Sequence, residues 1–499
     1  VNGDQPERES VESAESGSHI GPATETLADR GSWPTLAVVL SGAFIALLDT
    51  TIVNVALSDI GTALGAEETA LAWILSGYFL SFGLVLIPAG RLSDRFGHRR
   101  LFVAGMTLFT VASLACGLAG SPGLLVFLRV IQGLGAGLFF PVIAALIQLT
   151  YTGRARARAF GLLGAVIGIS TAIGPLVGGL LVHGLGTQGW RWVFLVNVPI
   201  GVIVVPAALR LLPRPAPKYG SEARRADLVG LGLLFVSITA LLLPLVEGQH
   251  AGWSGWPLVS LGLALLAGGT LWWWERRSEE REGDPILSPA LLRRPALAAG
   301  ALVALVYFAA FTSVFFSLAL LWQEGLGHDA LETGLILMPF ALGNFLGGLG
   351  SARFAARLGR TALMVAAVLV GLGLSATLLM LKLGTPDPNG WTLVFPMALA
   401  GIGNGLFIAP NTNLVLSAVP PAQAGTASAL LSTAQRFGSS IGIAMVSSVL
   451  FGTLRVEQSG RAQAYLHSTQ LALLVNIALV LLALALVFVL PRKTDAAWS

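Results

Sequence analysis

The chain has 499 residues, 55% of them hydrophobic and 11% charged. A soluble domain carries about 25% charged residues, so this composition excludes a wetted globule unless most of its surface faces lipid. The formal net charge of +4 does not point to nucleic acid, because the basic residues sit in short gaps between apolar runs instead of forming a patch.

Residues 1–30 are polar, rich in Glu and Ser, and lack an apolar stretch of signal-peptide kind; they read as a disordered cytoplasmic tail. Fourteen apolar segments follow, each near the ~20 residues a helix needs to cross a bilayer core. They lie near 35–57, 69–90, 101–120, 123–149, 159–183, 191–212, 227–246, 256–275, 296–322, 332–351, 361–382, 391–417, 424–450 and 469–490. Sixty glycines would weaken soluble helices but suit a membrane bundle, where small residues let backbones approach.

Lysine and arginine set the expected orientation. With the tail inside, the inner loops collect the arginines at 91–100, 154–158, 210–225, 276–294 and 353–360, while the outer loops hold Arg191, Lys382, Arg455 and Arg461. Both termini are therefore expected to be cytoplasmic, in a multi-pass protein of the cell membrane. Trp190, Trp192, Trp253, Trp256, Trp322, Trp391 and the cluster Trp272, Trp273, Trp274 fall near segment ends, where interfacial anchors belong.

The chain also repeats weakly. Gly133-Leu-Gly-Ala-Gly-Leu-Phe in the fourth segment matches Gly401-Ile-Gly-Asn-Gly-Leu-Phe in the twelfth, and Arg95-Phe-Gly97 matches Arg357-Leu-Gly359, at offsets of 268 and 262 residues. The expected fold is an all-α membrane protein of six, two and six helices around a central cavity: a bundle over 31–212, a linker with two extra helices over 213–290, a second bundle over 291–492, and a short tail at 493–499. Two parallel halves with a site between them is an architecture that transporters use.

No metal centre or cofactor is expected. The single cysteine, Cys116, lies in an apolar run, the six histidines are scattered, and no phosphate-binding GxxxxGK[ST] loop occurs.

Several stretches resemble a known family. Gly90-Arg-Leu-Ser-Asp94-Arg95-Phe-Gly97-His-Arg99-Arg100 resembles the loop signature of the major facilitator superfamily, Arg129-Val-Ile-Gln132-Gly133 its fourth-helix motif, and Gly174-Pro175-Leu-Val-Gly178-Gly179 its fifth-helix antiporter motif. Leu48-Asp49-Thr50-Thr51-Ile52-Val53-Asn54 and Trp190-Arg191-Trp192-Val-Phe-Leu-Val-Asn197-Val-Pro199 are similar to first- and sixth-helix motifs of its fourteen-helix drug:proton antiporters, the EmrB/QacA type. Ser170 stands where the fifth-helix motif has glycine, and Ala356 where the second loop would repeat Asp94.

Asp49 is the sharpest single feature. A carboxylate that deep in an apolar run costs several kcal/mol unless protonated, paired or hydrated. It reads as a proton carrier, or as a buried, hydrogen-bonded acid that only fixes packing. For Arg129 the resemblance implies help with proton transfer near Asp49; its place early in its segment equally fits a side chain that snorkels to the interface. Gln132, one turn on, shares its face. Arg436 lies mid-segment with no assigned role.

The resemblance implies that the 90–100 loop gates the conformational cycle through Gly90, Asp94, Arg95, Gly97 and Arg99, with Asp94 against the start of the helix that follows Pro420-Pro421. An anion at a helix N-terminus gains about 0.3–1 kcal/mol, enough to bias a state and weak enough to break. Gly174, Pro175, Gly178 and Gly179 let the fifth helix bend and pack tightly. Candidate substrate contacts are Asn54, Tyr78, Gln132, Phe139, Tyr307, Phe311, Asn344 and Asn411, an aromatic and weakly polar set suited to lipophilic molecules. The expected function is a secondary exporter exchanging small lipophilic, drug-like or antibiotic molecules for protons across the bilayer. A proton-independent permease of the same fold is the rival; a polytopic enzyme or sensor is disfavoured because polar groups do not cluster at either face.

Overall fold

The structure, a computed structural model, describes residues 33–151, 153–213, 227–251, 255–281, 293–383, 390–417, 419, 424–456 and 460–489. The expected tails at 1–30 and 493–499 and much of the expected linker lie outside them. The first half comprises α1 (Trp33–Leu64), α2 (Glu68–Phe96), α3 (His98–Gly117), α4 (Pro122–Thr150), α5 (Gly153–Gly184), α6 (Gly189–Leu195) and α7 (Asn197–Leu211). Next come α8 (Leu228–Ala251) and α9 (Trp256–Glu280), then the second half: α10 (Pro295–Leu320), α11 (Ala330–Leu358), α12 (Arg360–Leu383), α13 (Val394–Ser417), α14 (Ala424–Val456) and α15 (Arg461–Val489). Thirteen stretches among the described residues are long and apolar enough to cross a membrane, and the shorter apolar helix Val229–Pro244 supplies the fourteenth.

Local chemistry sets several boundaries. Ser121 caps α4 through the Leu124 N–H, with Pro122 in the first turn. Asp329 and Glu332 form a reciprocal capping box on α11. Gly97 and Gly359 close the two repeated turns at φ +92° and +54°, a conformation costly for any residue with a Cβ. In the sixth segment Pro199 has no N–H to give the Leu195 carbonyl, but Val196 between α6 and α7 keeps helical angles, φ −60° and ψ −27°, and bonds back to the Trp192 carbonyl, so the two helices run on as one span.

Packing confirms the internal repeat. In the first half α4 lies on α2 and α3 and α1 on α5; in the second α13 lies on α11 and α12 and α10 on α14. The repeated glycines make the close approaches. A Cβ on Gly133 would come within 2.5 Å of the Tyr78 carbonyl oxygen in α2, and one on Gly401 within 2.0 Å of the Phe340 carbonyl oxygen in α11. Gly401→Val is expected to lower the thermal unfolding midpoint of the detergent-solubilised protein by several degrees or to block folding, a clash costing roughly 1–3 kcal/mol or more. Gly262→Ala, where an added methyl meets nothing within 4 Å, is the control, and a Gly401→Val protein as stable as wild type would refute the close packing.

The halves meet reciprocally, α5 on α11 and α2 on α14, while α8 pairs with α9 and also touches α14 and α2. They are sealed at the end that holds Gly65, Gly186 and Gly327. There Gln323 donates to the Val55 carbonyl at 2.8 Å, Ser58 donates to Glu324, Arg461 pairs with Glu324, and a Cβ on Gly179 would lie 2.7 Å from the Ala330 carbonyl oxygen.

The tryptophans correct one expectation. Trp192, Trp256, Trp272, Trp273 and Trp391 are exposed, as anchors would be, but Trp190 and Trp322 are fully buried. Trp190 lies under Arg191 and edge-on to Phe194, and Trp322 stacks on His328. Trp253 lies outside the described residues.

Candidate proton-coupling site

Four helices converge on Asp49. α1 carries it at mid-length, α4 brings Arg129 and Gln132 on one face, α3 brings Ser113, and the sixth span brings Asn197 at the start of α7. Asp49, Arg129, Gln132, Ser113 and Asn197 are all completely buried. Arg129 Nη1 donates to Asp49 Oδ2 at 2.5 Å and to Gln132 Oε1 at 2.8 Å. Gln132 Nε2 and Asn197 Nδ2 donate to Asp49 Oδ1 at 2.9 and 3.1 Å. Both amides also reach Ser113 Oγ, which itself donates to the Phe194 carbonyl. The carboxylate thus receives three donors, one of them cationic, which meets the cost of placing its charge away from water.

Arg129 is fixed just as closely. Its Nε donates to the Ile74 carbonyl at 3.1 Å, and its Cζ lies 4.1 Å from the Tyr78 ring centroid, a cation–π contact. Tyr78 is held by its hydroxyl on the Ala46 carbonyl. Of the two sequence readings of Arg129, the snorkelling one is therefore excluded.

The fifth-helix motif lies next door. A Cβ on Gly174 would come within 1.9 Å of Thr51 Oγ1, and one on Gly178 within 2.8 Å of the Ile52 carbonyl oxygen, so these glycines seat α5 on the α1 turn that follows Asp49. Pro175 reaches across the halves: its carbonyl oxygen would lie 2.4 Å from a Cβ on Gly334 of α11. α5 thus packs between α11 and the α1 turn that follows the acid.

The remaining candidates separate. Tyr78 and Gln132 belong to the Asp49 cluster. Phe139 is wholly buried between the Phe102 and Phe109 rings of its own half, a core position in this state. Asn54 bonds back to the Thr50 carbonyl. In the second half Tyr307 donates to Asn404 Oδ1 at 2.9 Å, Asn404 Nδ2 donates to Asn344 Oδ1 at 2.8 Å, and Tyr307 stacks on Phe407. Phe311 stacks on Phe340, and Asn411 donates to the Gly300 carbonyl. Arg99 donates to the Leu209 carbonyl, tying the turn at Gly97 to α7. The side chains of Asp94 and Arg95, and the expected contact of Asp94 with the start of α14, lie outside the described residues.

Sequence reasoning missed Ser113 and Asn404 and gave Asn197 no role. The signal for Asn404 was its place inside the repeated glycine string; Ser113 had none, because a serine in an apolar segment is common and its direction is set by α3 packing.

Glu324 forms a latch at the sealed end. Glu324→Gln is expected to loosen that end by up to a few-fold in population, since a partly exposed ion pair contributes about 0.2–1 kcal/mol. The measurement is labelling of a Leu331→Cys reporter by an impermeant maleimide, with little background from Cys116, which is buried. Unchanged labelling would show that the latch carries no weight.

Comparison with known proteins gives a consistent picture. A family model described as Major Facilitator Superfamily matches residues 39–226 and 219–443. A probable actinorhodin transporter of Streptomyces coelicolor is 36% identical over 430 residues, covering 85% of this chain and 73% of its own. The puromycin resistance protein of Streptomyces alboniger is 32% identical over 483 residues, covering 94% and 93%. Among solved structures, a D-xylose–proton symporter superposes with a TM-score of 0.65 over 93% of this chain and 98% of its own at 15% identity, a likeness of fold alone.

Proposed function

The chain belongs to the major facilitator superfamily, a transport protein of the membrane and not an enzyme, and we propose that it exports small lipophilic, drug-like or antibiotic molecules in exchange for protons. The observation that carries the reading is the buried pair of Asp49 and Arg129. Names of relatives add support for the cargo: one is a probable actinorhodin transporter and another a puromycin resistance protein.

The proposed cycle rests on competition for one carboxylate. Ionised Asp49 binds Arg129 and two amides; a proton on Asp49 removes the charge that holds the guanidinium and turns one carboxyl oxygen from acceptor to donor. An amide flip would let Asn197 serve both states, since its Oδ1 has no hydrogen-bond partner among the described residues. Rocking of the two bundles would then expose the pair to one side and the other in turn. With the arginine-rich loops inside, the sealed end would face outward. One charge crossing ~100 mV contributes about 2.3 kcal/mol, and each pH unit about 1.36 kcal/mol, so a one-proton exchange sustains concentration ratios of tens to hundreds.

The test is proton movement. Purified protein in sealed vesicles holding a pH dye should show proton exchange when a lipophilic compound is added, across a panel of compounds, and a protonophore should abolish accumulation. Accumulation that survives the protonophore, or transport without proton movement, would favour the proton-independent permease.

A further inference from the structure

Arg436 is a second cation inside the spans, and the exchange cycle makes no use of it. It lies on α14 where that helix crosses α2: a Cβ on Gly83 would come within 2.9 Å of Arg436 Cβ, so only glycine lets the two halves meet there. Its guanidinium sits against rings of the opposite half, with Cζ 4.3 Å from the Phe82 centroid, 5.7 Å from Phe140 and 5.9 Å from Phe79. Its Nε is buried without a hydrogen-bond partner, and no ion pair joins it to a carboxylate among the described residues. Arg129, one helix away, shows the contrast, since there the charge has a carboxylate, an amide and a carbonyl.

The chemistry of this arrangement is one-sided. Aromatic faces attract a guanidinium through its charge but leave its in-plane N–H donors unsatisfied. Those donors form a planar fork that matches a carboxylate with two parallel hydrogen bonds. An intramembrane charge is costly unless compensated, and a leucine or methionine would fill a phenylalanine cage without that cost. Among the nearby hydroxyls, Thr433 donates to the Gly83 carbonyl, Ser440 to the Ser76 carbonyl, and Ser439 bonds Thr312.

Building on the exporter reading, we infer that Arg436 is the anion-recognising residue of the substrate site, and that the favoured substrates are planar aromatic molecules bearing a carboxylate or an acidic phenol. The acid takes the fork of Arg436 while the ring system lies against Phe140, which is partly exposed where Phe82 is fully buried. Because cation and cage belong to different halves, rocking of the bundles separates them and changes how the charge is presented.

The experiment uses the full chain and a matched pair of probes, 9-anthracenecarboxylate and its neutral primary amide. Equilibrium binding is read by probe fluorescence in detergent, and proton movement in vesicles of phosphatidylethanolamine and phosphatidylglycerol. Wild type should bind the acid roughly tenfold or more tightly than the amide, the discrimination expected of a charge-assisted, bidentate contact. Arg436→Gln should bring the acid down to the amide's level with the amide unchanged, and Arg436→Lys should fall between. Equal binding of acid and amide by wild type, a result that needs no variant, would overturn the proposal. So would a loss of both probes in proportion in Arg436→Gln, the outcome of a purely structural arginine. Proton exchange driven by a neutral lipophile in the same vesicles reports separately on the exporter reading: its presence without acid preference removes the anion site alone, and its absence for every compound removes exchange while an acid preference in binding still upholds Arg436.

Discussion

Asp49→Asn is expected to abolish substrate-triggered proton movement and to bring the accumulation ratio from tens or hundreds down to about one, because the free energy of ~2.3 kcal/mol per 100 mV and ~1.36 kcal/mol per pH unit no longer couples to the substrate. The side-chain amide has nearly the shape of the carboxyl group but takes up no proton in this range. Its oxygen can still accept from Arg129 Nη1, while its NH2 faces the Gln132 and Asn197 donors that now point at Oδ1, so those amides must turn. Downhill movement of substrate should persist, which separates loss of coupling from loss of fold. Asp49→Glu, which keeps a titratable group, should retain part of the exchange. Undiminished uphill export by Asp49→Asn would end the coupling proposal.

Arg129→Ala carries the second large effect, this time on stability. It strips the cation from a fully buried carboxylate and frees the Ile74 carbonyl and the Tyr78 ring as well. Breaking a buried pair by removing one partner costs roughly 3–5 kcal/mol, which should appear as a fall of several degrees in the unfolding midpoint in detergent. A double-mutant cycle gives the sharper measurement. Asp49→Asn combined with Arg129→Ala removes both charges and should recover much of that loss, since the penalty comes from the charge left behind and not from the missing bond. Strict additivity of the two single losses would mean that the residues are not coupled and that the short contact carries little weight.

These two variants test a cluster whose members came into view by different routes. Asp49 could be found from the sequence because an acid in an apolar run has a cost that packing alone seldom justifies. Arg129 and Gln132 followed from spacing on one helix. Asn197 lies almost 150 residues from Asp49 in sequence and meets it because the sixth span packs against α1 and α3 with that residue turned inward. Phe139 shows the opposite case: aromatic and near a glycine string, it reads as a cavity residue, yet α3 closes over it. Trp190 and Trp322, at segment ends like true anchors, are buried because α6 and the π turn Leu321–Gly325 fold back on the bundles instead of meeting the interface.

The sequence by itself determined the number and placement of the spans, the twofold repeat and the presence of an unaffordable acid. All three follow from one-dimensional rules: the thickness of a bilayer fixes the length of an apolar run, close helix contact calls for small residues at intervals, and a charge in oil must be compensated. Tertiary structure decided what compensates it, which aromatic rings are core and which face the opposite half, and which end of the bundle is sealed. Those depend on the direction of side chains around helices far apart in the chain, fixed by the rotation at which each helix packs, and residue order along any one segment leaves that rotation undetermined.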